Sequence, residues 1–576
     1  MDESKKIFYE NVIPTVNNKT VDIKFKDSND LILDEKKNTE INFAKKLNNF
    51  SFLIVTSFLL FIIFSLYKVY FDSNKKKNIY KKVTPVDRGK ILDRNGEIIA
   101  TNINTEDLYI DTRKVLDNYD LKKKLREIFP DKNNFFFDKI FDKKHYIRIK
   151  QHLTEKEINE LRKIGDPAIQ FHKSVKRIYL HHNLFSHLTG FKSSNITSKV
   201  EKNLNNLLEE GNDINLSVDL RVQSIVHEEL SKSLKKYDAN SAVTIIVDVN
   251  NGEILSLVSL PDFDPNHPSD IKAFTENNLA TEARYEMGST LKIFNAALAF
   301  ENNLDVENKN FKIHDGYQIT SEKLIEDKHI KKDQINFEEI FTKSSNVGSI
   351  ELIEEIGIKK QQNFLHKLGF DEKINLHGLN IVNNKLPDNW DDLASKFISY
   401  GYGISISPIS LVSAYSTLVN GGFKIEPSII LNSTQSKKKI LNDKTSNKVN
   451  NLLKKIVTSG TGKKAKVNGL EVGGKTGTSR KLEDGKYSEK KVITSFIGTF
   501  PINKPKYIAF VLFDEPRRNT EEFLENFGGN TAAPTFSRIV RKISPILNKN
   551  NYFKNYWYET QQYIKKLPNK FFFRKF

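Results

Sequence analysis

The residues with the most chemistry in them lie in Glu286-Met287-Gly288-Ser289-Thr290-Leu291-Lys292-Ile293-Phe294. Gly288 suits a sharp entry to a helix, and Leu291, Phe294, Ala297 and Leu298 recur at helical spacing, which predicts Ser289 at the helix N-terminus. Residues three apart on a helix are neighbours, so the Lys292 amine can take the Ser289 proton while the positive helix end favours the alkoxide. Such a pair is a nucleophile with its own base. The same four-residue pattern also arises by chance, as a helix start followed by a surface lysine, so it needs company.

Two later stretches supply it. Ser344-Ser345-Asn346 lies between a helix predicted over Phe337 to Phe341 and the apolar-periodic run Val347 to Ile356, a tight polar connection. Ser344 there can relay a proton to a leaving amine and Asn346 can hold a peptide amide, although Ser345 or Asn346 would serve equally as a helix N-cap. Lys475-Thr476-Gly477-Thr478 comes third, ahead of two β-rich runs, Val492 to Phe500 and Tyr507 to Phe513. Gly477 would let a substrate lie close against a strand, while Lys475, Thr476 and Thr478 suit a carboxylate.

The third stretch has a competing reading. Gly469-Leu470-Glu471-Val472-Gly473-Gly474-Lys475-Thr476 fits the phosphate-loop pattern, and Ile508 to Phe513 followed by Asp514-Glu515 mimics a strand ending in a magnesium-binding acid. A phosphate loop leaves an apolar strand and opens a helix. Here Lys463 to Asn468 precedes it, and Gly477, Thr478 and Ser479 make a poor helix start.

The 576 residues are several domains' worth, and the absence of cysteine excludes disulfides and thiolate metal sites. The net charge of +18 comes mainly from scattered lysine, with no arginine-rich helix or aromatic-interleaved module, so nucleic acid is not an expected partner. Attraction to anionic lipid headgroups fits the same charge.

In chain order, residues 1–49 are polar and aperiodic, a tail; Phe50 to Tyr67 is apolar and uncharged, long enough to cross a bilayer. The bulky Leu66 to Tyr70 offers no cleavage signal, which predicts an uncleaved anchor over 50–70. Arg88 to Ala100 reads as strand, Asn95-Gly96 turn and strand, and 71–210 as charged helices with short strands and no nucleophile, a non-catalytic pedestal. A second large unit, 211–547, opens with a helical run to Leu234 and a hairpin, Ala242 to Val249 and Glu253 to Leu260 turning at Asn251-Gly252. With the strands after Lys475 this predicts an antiparallel sheet flanked by helices, an α+β fold. Pro408 starts a further helix that stops at Gly421-Gly422, and a basic, aromatic tail, 548–576, closes the chain.

Ser-x-x-Lys, Ser-x-Asn and Lys-Thr-Gly in this order are the active-site set of the penicillin-recognising serine enzymes. With Arg88-Gly89, Asp93-Arg94-Asn95-Gly96, Ser186 to Gly190, Ser399 to Gly403, Ser407-Pro408, Thr494 to Gly498 and Ala532-Ala533-Pro534, the chain resembles the class B penicillin-binding proteins, monofunctional peptidoglycan transpeptidases. Within them it looks most like the division-specific type, on the Ser399 to Gly403 stretch. It departs from that type at Met287, where proline is usual, and matches only loosely over Glu201 to Leu207.

The resemblance implies one N-terminal transmembrane helix, an elongated pedestal and a C-terminal penicillin-binding domain. It implies Ser289 as nucleophile, Lys292 as base, Ser344, Asn346 and Lys475 completing the catalytic set, and Thr476, Gly477 and Thr478 as substrate-binding residues, with the Ser289 and Thr478 N–H groups as oxyanion donors and no cofactor or metal. Substrates would be stem peptides ending in D-Ala-D-Ala, with β-lactams as inhibitors, and a glycosyltransferase and other division proteins as partners. Counting bases puts the C-terminal side in the cytoplasm, since Lys68, Lys75, Lys76, Lys77, Lys81 and Lys82 outnumber Lys45 and Lys46. The substrate of the implied reaction instead puts the catalytic unit on the periplasmic side of the inner membrane. Alternatives are an elongation-type transpeptidase, a penicillin sensor and a non-catalytic division scaffold. A β-lactamase lacks support, because no Glu-x-x-x-Asn lies between Asn346 and Lys475 to activate water.

Overall fold

The computed structural model describes residues 51–68, 87–143, 145–193, 196–483, 485–517 and 527–547, with two short paired strands at Lys24–Phe25 and Leu31–Ile32. The expected N-terminal tail, apart from those strands, and the basic C-terminal tail lie outside the described residues, as do Lys45, Lys46 and the lysines of 75–82 that bear on orientation. Residues up to Val86 form one unit and those from Asp87 another. In the first, Ser51–Lys68 is a helix of mean hydropathy 2.0, long and apolar enough to cross a membrane.

The second unit begins with a sheet of β1 (Ile91–Leu92), β2 (Ile98–Asp111), β3 (Tyr146–Lys150), β4 (Ile169–Tyr179) and β5 (Ile214–Asn215). β2 pairs antiparallel with β4 along eleven consecutive residue pairs, Ala100↔Tyr179 to Ile110↔Ile169. β2 and β4 are long, at 14 and 11 residues, where the sequence suggested only short strands. Asn102, Asn104, Thr105 and Glu106 break the apolar alternation of β2 because its middle is solvated.

Five antiparallel strands form the main sheet: β6 (Ser241–Asp248), β7 (Ile254–Leu260), β8 (Gly473–Glu483), β9 (Lys486–Phe500) and β10 (Tyr507–Asp514), ordered β8-β9-β10-β6-β7. β6, β7 and β10 are buried almost throughout, as their unbroken apolar runs require, so helices cover both faces. Helix α1 (Leu220–Lys236) and a helix over 532–547 pack one face; α2 (Lys292–Glu301), α3 (Pro408–Val419) and α4 (Asp443–Thr458) pack the other. α2 is buried on every side from Lys292 to Ala299, which makes it the central helix of the unit. β8 is an edge strand, and its free edge borders the start of α2.

Lys475 lies within β8 and no helix follows it, so the phosphate-loop reading is overturned.

Candidate active site

Ser289 sits in a 3-10 turn, Gly288–Leu291, that leads into α2 at Lys292. The 3-10 winding eclipses residues three apart, so Ser289 and Lys292 face the same side of the turn. Gly288 has φ +55°, and a Cβ there would come 2.4 Å from the Thr478 carbonyl oxygen, so the turn packs backbone to backbone on β8. The Thr290 hydroxyl donates to the Met287 carbonyl at 2.8 Å, and the buried Tyr415 hydroxyl of α3 donates to the Thr290 carbonyl. One step along, Asn295 donates to the Ser399 carbonyl at 2.7 Å.

Lys292 is fully buried. Its Nζ donates to the Ser344 carbonyl at 2.6 Å and to Asn346 Oδ1 at 2.6 Å, and lies 3.4 Å from Ser344 Oγ. Among the described residues it makes no hydrogen bond to Ser289, whose hydroxyl is partly exposed and has no side-chain hydrogen bond there. Burial pulls its pKa down to about 7, opposed by the negative charge of Asp327. A neutral amine with both protons committed to Ser344 and Asn346 keeps one lone pair, which is what a base needs.

Lys475, also fully buried, donates to Ser344 Oγ at 3.0 Å and to the Thr476 carbonyl at 3.0 Å. Burial, then the charge of Lys292, push its pKa well down. Ser344 is therefore a bridge between two amines, held with φ +63° between helices α5 (Phe337–Thr342) and α6 (Asn346–Ile356). These two helices follow α2 and precede α3 in the chain. Ser345 is the N-cap, accepting from the Gly348 N–H at 2.8 Å; Asn346 opens the helix with its side chain turned to Lys292.

The three motifs thus meet around Ser344. Thr476 shares a hydrogen bond of 2.9 Å with Thr461, and Thr478 Oγ1 accepts from the Gly528 N–H at 3.1 Å. Arg480, two residues on, donates its N–H to Tyr402 Oη at 3.1 Å on the open side of β8. Alternate residues of a strand turn their N–H groups the same way, so the Thr478 N–H also faces the open edge. Gly477 is glycine for a reason the sequence did not suggest: a Cβ would lie 2.3 Å from Ser495 Oγ, 2.7 Å from the Met287 carbonyl and 2.8 Å from Thr290 Cγ2. Packing of β8 against Ser495 of β9 and against the Met287–Thr290 turn forbids the side chain. Gly477→Ala is expected to cost about 1–3 kcal/mol, by overpacking, and to slow acylation through displacement of the turn; a melting curve and a labelling time course check it.

Sequence reasoning missed Asp327, which is buried and accepts from Ser345 Oγ, from the Asn346 N–H at 2.8 Å and from the Val347 N–H at 3.1 Å. In Glu326-Asp327-Lys328-His329 it reads as one more surface charge, and only its three-dimensional place beside the α6 N-terminus gives it a role.

Residues 242–541 match the family described as penicillin binding protein transpeptidase domain, which is more than half of the chain. The chain belongs to the penicillin-binding transpeptidases. Residues 83–218 of this transpeptidase match the family described as penicillin-binding protein dimerisation domain. Over 80% of the chain it is 30% identical to the probable peptidoglycan D,D-transpeptidase FtsI of Caulobacter vibrioides, covering 81% of that protein. It is 28% identical to the peptidoglycan D,D-transpeptidase FtsI of Buchnera aphidicola, over 90% of this chain and 97% of that one. The probable peptidoglycan D,D-transpeptidase PenA of Neisseria meningitidis is 28% identical over 81% of the chain and 86% of its own.

Proposed function

We propose that this transpeptidase cross-links peptidoglycan stem peptides during septal wall synthesis through a Ser289 acyl-enzyme. The observation that carries the reading is the double bridge at Ser344, whose hydroxyl lies 3.0 Å from Lys475 Nζ and 3.4 Å from Lys292 Nζ. A donor peptide ending in D-Ala-D-Ala adds to the free edge of β8, with its terminal carboxylate beside Lys475, Thr476 and Thr478. That anion offsets the burial cost of a protonated Lys475, so substrate itself sets the charge of the site.

Ser289 Oγ attacks the carbonyl carbon of the penultimate D-Ala and its proton passes to neutral Lys292. The Thr478 N–H and the Ser289 N–H, unpaired by position at the start of its turn, stabilise the oxyanion. As the C–N bond breaks, the proton travels from Lys292 through Ser344 to the departing D-Ala amine. Asn346 holds the Lys292 amine and the donor's amide. An acceptor amine then attacks the ester, gives up a proton along the same path and releases Ser289. A second stem peptide, rather than water, is the acceptor. β-Lactams acylate the same hydroxyl and stay.

Residues 1–49 would be cytoplasmic, 50–70 a single-pass anchor in the inner membrane, 71–210 a pedestal, and 211–547 the catalytic unit on the periplasmic side. The apolar helix Ser51–Lys68 supports the anchor, and the relatives named FtsI support a septal role; a glycosyltransferase partner is part of the same proposal. Labelling with fluorescent penicillin followed by peptide mapping should place one adduct on Ser289. With lipid-linked precursor and a glycosyltransferase, the protein should form cross-links that penicillin abolishes. An adduct on another residue, or glycan chains left uncross-linked, would refute the proposal.

A further inference from the structure

The hydroxyl of Thr476 has a partner that the reaction above does not use. Thr461 Oγ1 lies 2.9 Å from Thr476 Oγ1, and among the described residues it is the one side-chain partner of that hydroxyl. Thr476 is buried, whereas Thr461 is exposed, on the link between α4 and a 3-10 turn over Lys463–Ala465. The link is fixed in place: the Thr461 N–H donates to the Thr342 carbonyl at the end of α5 at 3.0 Å, and the Gly462 N–H donates to the Ile456 carbonyl at 3.1 Å. A Cβ at Gly460 would come 2.5 Å from the Thr342 carbonyl oxygen, and one at Gly529 would come 2.9 Å from the Thr461 carbonyl oxygen, so backbone rests on backbone at both places. Thr461 is thus held between the helix that leads to Ser344 and the strand that carries Thr476.

A threonine hydroxyl has one proton and two lone pairs. In the free protein either hydroxyl of this pair can donate to the other. A carboxylate beside Thr476 removes the choice. The anion can only accept, so Thr476 gives it the O–H, and Thr476 Oγ1 is left to accept from Thr461. The chain from Thr461 through Thr476 to the carboxylate then runs in one direction, and each bond polarises the next. Without the Thr461 hydroxyl, Thr476 has no side chain to fix its O–H or to complete its oxygen.

We infer that Thr461 is a positioning residue for the donor's terminal carboxylate, acting through Thr476 by fixing the direction of its O–H. This rests on the acyl-donor reading above and adds a residue outside the three motifs to the recognition of a free C-terminus. Hydrogen bonds to a charged acceptor are stronger than those to a neutral one, so the oriented O–H discriminates a carboxylate from a carboxamide. In Ser459-Gly460-Thr461-Gly462 the residue reads as one more polar loop position, and only the packing of the link on α5 and β8 gives it this place.

The test uses the full chain in detergent with two synthetic donors ending in D-Ala-D-Ala, one with a free terminal carboxylate and one with a carboxamide. Acyl transfer to a fixed amine gives kcat/KM for each, and the wild type should favour the carboxylate. Thr461→Val keeps the shape and removes the hydroxyl. It should lower kcat/KM for the carboxylate donor about threefold to tenfold, the scale of one net hydrogen bond, and leave the carboxamide donor nearly unchanged. Thr461→Ser should restore the preference. In a Thr476→Val background, Thr461→Val should cost nothing further, because no hydroxyl is left to orient. The exposed control Thr458→Val, at the end of α4, should keep the preference. A valine variant that slows both donors equally, a serine variant that rescues nothing, or costs that add in the double variant would each reduce Thr461 to a structural part and overturn the inference. Penicillin labelling separates the two levels. A wild type that labels at Ser289 and prefers the carboxylate, with a valine variant equal to it, loses only the role of Thr461; a wild type that never labels there loses the acyl-enzyme itself.

Discussion

Lys292→Ala should slow penicillin acylation by about 10³ to 10⁴, the upper range for a positioned general base, and Lys292→Arg should recover almost none of it. Arginine keeps the positive charge but cannot lose a proton near neutrality, so it separates a base from a mere counter-charge. With the lysine pulled down to about 7 by burial, the rate should follow the neutral amine. The acylation rate constant therefore rises with pH through about 7 and levels off above it. Below that value the ammonium has no lone pair for the Ser289 proton. Stopped-flow acylation from pH 5.5 to 9 reads this directly. A flat profile, or an active arginine variant, would remove Lys292 from the role. Stability enters too: alanine at 292 strands the part-buried Ser344 carbonyl and Asn346 Oδ1 without their donor, at up to about 1–3 kcal/mol per group, the range for full burial. The arginine variant, folded and labelled slowly, keeps the two effects apart.

Much of the catalytic unit is legible in the sequence because its elements have strong local signatures. The β6–β7 hairpin announces itself through two apolar runs and Asn251-Gly252, and α3 through Pro408 at its start and Gly421 after its end. The order of the three motifs locates the proposed nucleophile, the Ser344 bridge and the strand proposed to hold the carboxylate, since each is a short pattern on its own element. The N-terminal sheet is less legible. β2 runs for 14 residues, but its solvated middle carries asparagine and glutamate, and long-range pairing with β4 supplies what local propensity lacks. Nor does spacing reveal that Ser289 lies in a 3-10 turn, or that Gly477 answers to Met287 and Ser495. Those are facts of how one backbone rests on another. Phosphate-loop spacing misleads for the same reason, because the pattern encodes glycines and a lysine while the chemistry depends on a helix after them.

Asp327 is where that distinction has the largest measurable consequence. Asp327→Ala removes a buried carboxylate that accepts from Ser345, Asn346 and Val347, and leaves three donors at the α6 N-terminus without it. The expected cost is about 3 kcal/mol, typical of breaking a buried charge from its partners. Asn346 then shifts relative to Lys292, and acylation should fall about 100-fold, the scale of an ångström's misplacement of a reacting group. Asp327→Asn is the more informative variant. It keeps the size and one acceptor, so most of the cap should survive, yet it removes the charge that raises the Lys292 pKa. With that opposing influence gone, burial acts alone, the folded-state pKa falls further, and the rising limb of the acylation profile moves to lower pH. A merely structural role for Asp327 would lower the rate at every pH and leave the midpoint in place. A midpoint that moves down while the melting temperature holds identifies Asp327 as the residue that sets the basicity of Lys292 through the field it casts, and positions it through Asn346.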